Sequence, residues 1–564
     1  FGSSCGSIYF EHQHRVTIAL SASMAFVAPT TTLLSPRSAA FLPLPQTTVS
    51  PRRTISPRPA VTTVASHLPS PVSTYAGARS PTVTTVASPR RLVPGVVASP
   101  VTYVVRPSGS ESPLRASPRV TAQSLVTRLS ANLPLTRDLT SNEEASKVLS
   151  LASEMLSSGV PVEDIKALVY KNPTTTPAIL ISAVGSAESK LKLKACGPHH
   201  MTCIFAMYGE QNRIRNKSEH ENGQDLIRNK VKQLQWLFDG EAGKTWDMLA
   251  VDDGCPNDSI GLGRKIVLEE GYENVRLINL QDAIDQRIPF FVRDRKLKST
   301  KESRKGGAIL HGLHWVAQNA SVVKESSSGP HLVMYTDSDL STDMSLCGFL
   351  SAGIMTDGSS MSMGARYGTP GTFLVKDKTL GHPESHYDQP NMMKIVFRHY
   401  LRVRLLPMLT GIYDTQCAFK CFNLADVPHI IQQVQSMGPD FDMELLLCAL
   451  QHYQKAGVPQ GRLCKVYSTL FTEDFAESNF MASAGDPDKP FKTYVDMTKG
   501  IVEMHKRYID PTSSDAKDAA ELVEFCQTLD LPKYKKMIQK LEAELGPTLF
   551  DHDFGLEALK KASS

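Results

Sequence analysis

The residues best equipped for chemistry form three acidic clusters: Asp337-Ser338-Asp339, Asp252-Asp253-Gly254 and Gly209-Glu210. Each follows a short apolar run, HLVMYT, MLAV and CIFAMY respectively. Two carboxylates spaced two apart at the end of an extended run leave the chain on the same side. They offer hard oxygen ligands to a divalent cation that keeps part of its water shell and also takes phosphate oxygens. At an effective dielectric of ~20, unit charges ~4 Å apart interact by ~4 kcal/mol, and a dication roughly doubles that. Such a cation stabilises a departing diphosphate. Without one, clustered carboxylates repel each other. A lone Asp-x-Asp also reads as a solvated turn; the second cluster at the end of an earlier strand makes the pair specific.

Positioning these clusters requires strands. From about Thr202, apolar runs alternate with helical stretches: TCIFAMY, NKVKQLQWLF, WDMLAVDDG, GLGRKIVLEE, NVRLINL, GGAILHGLHWVAQ and HLVMYTDSDL. This alternation predicts an α/β domain with a mainly parallel sheet covered on both faces. In such sheets ligands lie outside the carboxyl ends of the strands, where all three acidic clusters fall.

In this order the motifs resemble those of family 2 glycosyltransferases, over about residues 200–510. Within that family the chain is most similar to dolichyl-phosphate glucosyltransferases and polyprenyl-phosphate glycosyltransferases. MYGEQNRI stands for the Tyr-Asn-Glu turn, with Gly209 for Asn, and VDDGCPNDS for the VDDGS element, with Cys255 for Ser. SRKGGAILHGL matches the GKG-type loop, YTDSDLSTD the metal motif, and GARY the SRY element, with Ala365 for Ser. GIYDTQCAFKCF matches the DTQCGFK element and FDMELLL the start of the FDvELL helix.

The resemblance implies a GT-A fold, a nucleotide-sugar donor, Mg2+ or Mn2+, and inversion by direct displacement. It implies that Glu210 and Asp252 hold nucleobase and ribose with Asp253 beside them. Lys305 and Gly306 would lie against donor phosphate or sugar, and Arg366 would pair phosphate oxygens. Asp337 and Asp339 would bind the metal and donor hydroxyls. Asp442 aligns with the general base of members that use a hydroxyl acceptor, while Glu444 reads as structural. If the acceptor is a lipid phosphate, its oxygen is already anionic and no base is needed; Asp414, Gln416 and Lys420 would then shape the acceptor pocket. A capped turn is nearly as good a reading of Asp414. Long stretches around Arg287–Lys301 and Lys376–Pro390 depart from the family pattern.

The basic amphipathic stretch 391–409 reads as a peripheral membrane helix or as a core-facing one with a basic outer side. Lone motifs carry less. GLGRK lacks the spacing of a dinucleotide fingerprint. His311 and His314 read as packing residues, and Cys417 and Cys421 as buried thiols.

Composition and charge bound the rest. Residues 1–142 hold 13 Arg, no Lys and three acids, a net +10; the remaining 48 basic and 54 acidic residues make the rest −6. A mildly acidic body argues against nucleic acid as a partner. The ten Cys contain no CxxC pair, which argues against a zinc ribbon or disulfide framework. No apolar run after residue 36 reaches the length of an ordinary membrane span. The acid-poor leader is rich in Arg, Ser and Pro, with 17 of the 36 prolines in residues 1–142. It reads as an organelle transit segment, and Phe26 after a weak apolar run resembles algal plastid presequences. The alternative location is the cytosolic face of the endoplasmic reticulum.

The expected organisation is a disordered targeting leader (1–139), a helical adaptor (140–195), the GT-A domain (196–512) and a helical C-terminal extension (513–564). Ser141-Asn-Glu-Glu144 predicts a capping box, with Gly159 ending the helix. The expected function is hexose transfer from UDP-glucose or GDP-mannose to a polyprenyl or dolichyl phosphate, another lipid, or a glycan. The competing readings are a degenerate nucleotide-sugar-binding module and a sugar-phosphate nucleotidyltransferase. The second should carry a GxGTR-like loop where MYGEQNR stands.

Overall fold

The computed structural model describes residues 120–172, 175–320, 328–366, 374–376, 392–473, 486–545 and 555–564. The transit-segment reading and the Lys376–Pro390 stretch from Asp377 on lie outside them.

Seven strands form the central sheet: β1 (His199–Met207), β2 (Lys244–Asp252), β3 (Val275–Asn279), β4 (His331–Thr336), β5 (Met361–Ala365), β7 (Lys420–Asn423) and β8 (Cys464–Ser468). Their order is β3-β2-β1-β4-β7-β5-β8, and β6 (Leu374–Lys376) pairs separately with β9 (Phe471–Glu473). β1 runs parallel to β2 and β4, and β2 parallel to β3. β7 is antiparallel to both neighbours, while β5 and β8 are parallel. This is the mixed, mainly parallel sheet flanked by helices that the alternation predicts. β1 and β4 are almost wholly buried, which explains why they read as continuous apolar runs.

The pleat sorts side chains into two cores. Ile204, Leu249, Val251, Val333 and Tyr335 face one side, which the helices Gly306–Gln318 and Phe441–Lys455 cover. Cys203, Phe205, Met248, Ala250 and Met334 face the other, under the helices Ala178–Ala195 and Leu226–Phe238.

The N-terminal helices pack closely on the sheet. The helix Ala122–Ser130 already lies in the stretch assigned to the leader, and it buries Leu125 and Leu129. Arg137 is also buried, with both guanidinium arms on Asp343 at 2.6 and 2.8 Å. Ala178–Ala195 is no adaptor: Ile179, Leu180, Ile181 and Val184 are at most 1% exposed inside the second core. Each such side chain contributes roughly 1.5–3 kcal/mol of burial. The stretch 120–139 is too short and polar to reveal this, because its apolar anchors Leu125, Leu129 and Leu139 act only against partners distant in sequence.

Caps behave locally with one exception. Ser141 Oγ accepts from Glu144 N, as expected, and Gly159 follows the helix at φ 75°. The reciprocal half of the box is missing, because Glu144 Oε2 accepts from Asp138 N at 2.7 Å instead.

The stretch 391–409 follows the core-facing alternative over its described residues. From Met392 it forms short helical turns, Met392–Ile395, Val396–Leu401 with π-type spacing, and Arg402–Leu405. Ile395, Val396, Phe397, Leu401, Leu405 and Leu406 are spent on the first core, alongside the C-terminal helices. Arg402 is fully buried and donates to the carbonyls of Arg398, Leu409 and Ile412. The apolar face therefore packs inward and is not offered to a lipid surface. Among the described residues no helix is long and apolar enough to cross a membrane.

The helices Lys489–Tyr508, Ser514–Thr528 and Leu531–Leu545 share that core. Arg507 and Tyr508 reach Glu444, which is fully buried and also accepts from Gln435 N and Ser436 N. Glu444 is thus structural, as expected. The Arg287–Lys301 stretch is packed through Phe291 and through Arg295, whose guanidinium lies 3.6 Å from the Phe290 ring centroid.

Candidate functional site

Strand register brings the acidic clusters together. Asp252 ends β2 opposite Met207 of β1 and Asn279 of β3, and Thr336 of β4 lies opposite Phe205 of β1. Neighbouring strands are ~4.8 Å apart. Asp337 therefore leaves one edge together with Asp252 and the Gly209-Glu210 turn. Asp253 N donates to Met207 O at 2.9 Å, which ties the two loops.

Lys305 spans the clusters. Its backbone N donates to Asp253 Oδ2 at 2.6 Å and its ammonium pairs with Asp337 Oδ1. It does so from an unusual backbone. Arg304 has φ 43°, and Lys305 has φ 78° with ψ −43°, near the strained γ-turn region. Such conformations cost about 1–3 kcal/mol and persist where surrounding contacts hold them. Gly306 next to it admits no side chain: a Cβ there would lie 2.7 Å from Met437 O and 2.9 Å from Phe441 Cβ. The loop is thereby pressed against the start of the helix that carries Asp442.

Two carboxylate oxygens in this cluster are buried and unpartnered, Asp252 Oδ2 and Asp253 Oδ1. Asp252 Oδ1 is already used by Gly254 N and Cys255 N at 2.8 and 3.1 Å. Burial pushes the Asp253 carboxyl up to about 6. Glu210 is also raised by burial, against the pull of Arg213, which donates to it at 3.1 Å; the Asp339 charge adds to the rise. Asp337 goes the other way. Burial raises it, but the Lys305 ammonium outweighs burial and holds it below the usual carboxylate value. Lys305 is correspondingly held above the ordinary lysine value, against burial, by Asp337 and then Asp442.

Two departures from the family pattern fit each other here. Gly209 has φ 72°, a conformation Gly adopts without cost. Its N–H donates to Cys255 Sγ at 3.3 Å, and that thiol donates to Met207 O at 3.3 Å. The substituted pair keeps the β1 and β2 loops joined. Ala365 is buried at the end of β5 opposite Ser468.

Asp442 lies at this site but is heavily engaged. Its Oδ1 accepts from Tyr335 Oη and, at 2.9 Å, from Lys420 Nζ. Tyr335 and Lys420 are direct cross-strand partners, so their side chains share the face that also carries Asp337. Lys420 is fully buried and also donates to Cys417 O at 2.6 Å. It therefore holds Asp442 rather than lining an open acceptor pocket.

Arg366 and Asp414 likewise pair with each other. Nε and Nη2 of Arg366 meet the two Asp414 oxygens at 2.8 and 2.9 Å, and Arg366 N adds a third bond at 2.8 Å. Asp414 is fully buried, which raises its pKa; the Arg366 charge and hydrogen bonds outweigh this and hold it well below the carboxylate range. Arg366 thus presents its fork to Asp414 and not to phosphate, and Asp414 is no exposed turn cap. Gln416 next to this pair keeps a buried, unpartnered Nε2.

The residues fit a divalent cation through few protein ligands. Among the described residues no group of three or more His, Cys, Asp or Glu converges as a metal cage. Asp337 is paired with Lys305, whereas Asp339 has no ion pair among the described residues, and its Oδ1 accepts only the 3.1 Å bond from Ser341 N. Asp339, with Asp337 beside it, suits a cation that completes its shell with phosphate and water.

Three residues around the site carry no motif signal of their own: Lys230, Gln224 and Gln233. Lys230 Nζ, fully buried, donates to the carbonyls of Asp337 and Asp339 at 3.1 and 2.8 Å. Its sequence context, NKVKQLQ, is that of an ordinary amphipathic helix.

No protein-family model matches the chain, and no curated protein matches it. Among solved structures it is similar to glucosyl-3-phosphoglycerate synthase from Mycobacterium tuberculosis. The complex with Mn2+, UDP-glucose and phosphoglyceric acid shares 12% identity at a TM-score of 0.34, covering 57% of this chain and 84% of that one. The complex with Mg2+ and UDP gives 12% and 0.34, over 58% and 84%. A further structure of the synthase gives 14% and 0.33, over 58% and 86%. A likeness this loose transfers no residue role.

Proposed function

We propose that the chain is an inverting glycosyltransferase that moves a hexose from a nucleotide-sugar donor, UDP-glucose or GDP-mannose, to an acceptor oxygen. One observation carries this reading. Carboxylates from three adjacent parallel strands gather at one sheet edge around Lys305, and two of their oxygens are buried without a partner. Unpaired buried acceptors cost about 1–3 kcal/mol each, so a ligand that donates to them is favoured. Ribose hydroxyls and a nucleobase N–H supply such donors.

Asp339, with Asp337, would hold Mg2+ or Mn2+. That cation would neutralise charge developing on the leaving diphosphate. Lys305 brings a second positive charge to the same place. The acceptor oxygen attacks the anomeric carbon, the bond from that carbon to the diphosphate oxygen breaks, and the nucleoside diphosphate departs. With a hydroxyl acceptor, the proton goes to Asp442. A second reading is favoured by the contacts of Asp442. Because its Oδ1 already accepts from an ammonium and a phenol, an acceptor that arrives as an anion, such as a lipid phosphate, fits better than a neutral hydroxyl.

The test is transfer by the full chain from a panel of nucleotide sugars with Mn2+, offered a polyprenyl phosphate and a hydroxyl glycan. Donor-dependent product that vanishes in Asp339→Ala supports the enzyme. Donor binding without turnover on any acceptor supports the degenerate module. Pyrophosphate release from a nucleoside triphosphate and a sugar phosphate supports the nucleotidyltransferase.

A further inference from the structure

The loop 337–343 carries three carboxylates in seven residues, Asp337, Asp339 and Asp343. It is held from beneath by side chains outside every motif. Lys230 Nζ, 5.4 Å from the Phe205 ring centroid, reaches the carbonyls of residues 337 and 339. Gln224 Oε1 accepts from Leu340 N at 3.0 Å, and Gln233 Oε1 from Met344 N at 2.7 Å. At the far end Asp343 takes both arms of Arg137 and the Gln233 amide at 2.7 Å.

We propose that Lys230 and Arg137 are positioning residues of the donor site, a cationic clamp that keeps Asp337 and Asp339 poised. The proposal rests on the glycosyltransferase reading above. Two carbonyls drawn to one ammonium leave the peptide units between them one arrangement, so both carboxylates depart from fixed Cα–Cβ bonds. A neutral donor would cost less to bury than an ammonium. A positive charge is worth that cost where several negative charges converge. Each outer carboxylate of the loop also has its own cation, Lys305 on Asp337 and Arg137 on Asp343. Asp339 remains for an incoming cation. Arg137 precedes the sheet in sequence, so the N-terminal segment contributes to the site through the far end of this loop.

The experiment uses the full chain and titrates UDP with and without Mn2+, with circular dichroism and a thermal melt to report folding. Lys230→Gln should lose about tenfold or more of the Mn2+-dependent UDP affinity, the range seen when groups that orient metal ligands are removed. Its metal-free UDP affinity should stay within about twofold, and Lys230→Arg should recover most of the loss. With turnover, KM for donor should rise far more than kcat falls. A folded Lys230→Gln chain that matches wild type with Mn2+ overturns the proposal. If that variant does not fold, Arg137→Lys, which keeps the charge but opens the two-bond fork, must weaken Mn2+-dependent binding in the same way; unchanged binding overturns it. Hydrogen exchange adds a check without metal: the Leu340 and Ser341 amides, protected in wild type by Gln224 and Asp339, should exchange faster in Lys230→Gln before any ligand is added, and unchanged exchange in the folded variant sinks the clamp. A wild-type chain with protected amides that binds no nucleotide overturns the donor reading instead.

Discussion

Replacing Arg366 by Met removes the partner of a carboxylate that water does not reach. Asp414 is fully buried, and the Arg366 side chain is 20% exposed. Breaking a buried ion pair from one side costs about 3–5 kcal/mol, because the remaining charge loses its bidentate partner; the Arg398 charge, which also lowers the Asp414 pKa, offsets part of this. An unfolding entropy of ~2.1 cal/mol/K per residue over a cooperative unit of ~400 residues gives ~0.8 kcal/mol/K, so Tm should fall by about 4–6 °C at neutral pH. The sign with pH follows from Asp414. Its folded pKa lies below the unfolded value, so the pair's contribution is complete above about pH 4 and is lost as pH falls through the folded pKa. The gap in Tm between wild type and variant should therefore be widest near pH 7 and narrow below about pH 4. Combining Arg366→Met with Asp414→Asn should recover part of the loss, since the stranded charge is gone while an oxygen still accepts from the backbone N–H of residue 366. Differential scanning fluorimetry across pH measures all three chains. A single variant within 1 °C of wild type at pH 7, or a gap that widens on acidification, would refute the account of this pair.

Asp253→Asn tests the opposite sign. Burial lifts the Asp253 pKa to about 6, so the ionised form destabilises the fold at pH 7.5 by up to about 3 kcal/mol. The variant should melt higher than wild type at pH 7.5, with the gap shrinking as pH falls through 6 and closing only below about pH 4, yet bind UDP more weakly; an unchanged melt at pH 7.5 contradicts this. Gly306→Ala forces a methyl against Met437 O and Phe441 Cβ and should cost about 1–3 kcal/mol, with loss of donor binding; normal stability would show that the contact relaxes freely. Asp339→Asn should leave the melt within about 1 °C, because a partly exposed carboxylate without an ion pair contributes little, while Mn2+-dependent UDP binding disappears. Retained Mn2+ dependence would move the cation elsewhere.

The sequence by itself determined the sheet and its acidic edge. Parallel strands buried on both faces must be continuous apolar runs, and chemistry on such a sheet falls where those runs stop. Asp252, Asp253, Asp337 and Glu210 were therefore legible as one group before any coordinate. Glu444 was legible as structural. What only the tertiary structure decided is which charges neutralise which. The family resemblance implies a phosphate contact for Arg366 and a pocket role for Lys420, but they meet Asp414 and Asp442 across 48 and 22 residues. Arg137 meets Asp343 across 206. The amphipathic pattern of 391–409 likewise states that one side is apolar without stating what covers it; helices from the far C-terminus do. Periodicity records the local constraint of backbone and burial, whereas ion pairs depend on chain segments brought together by folding and leave no mark in local spacing.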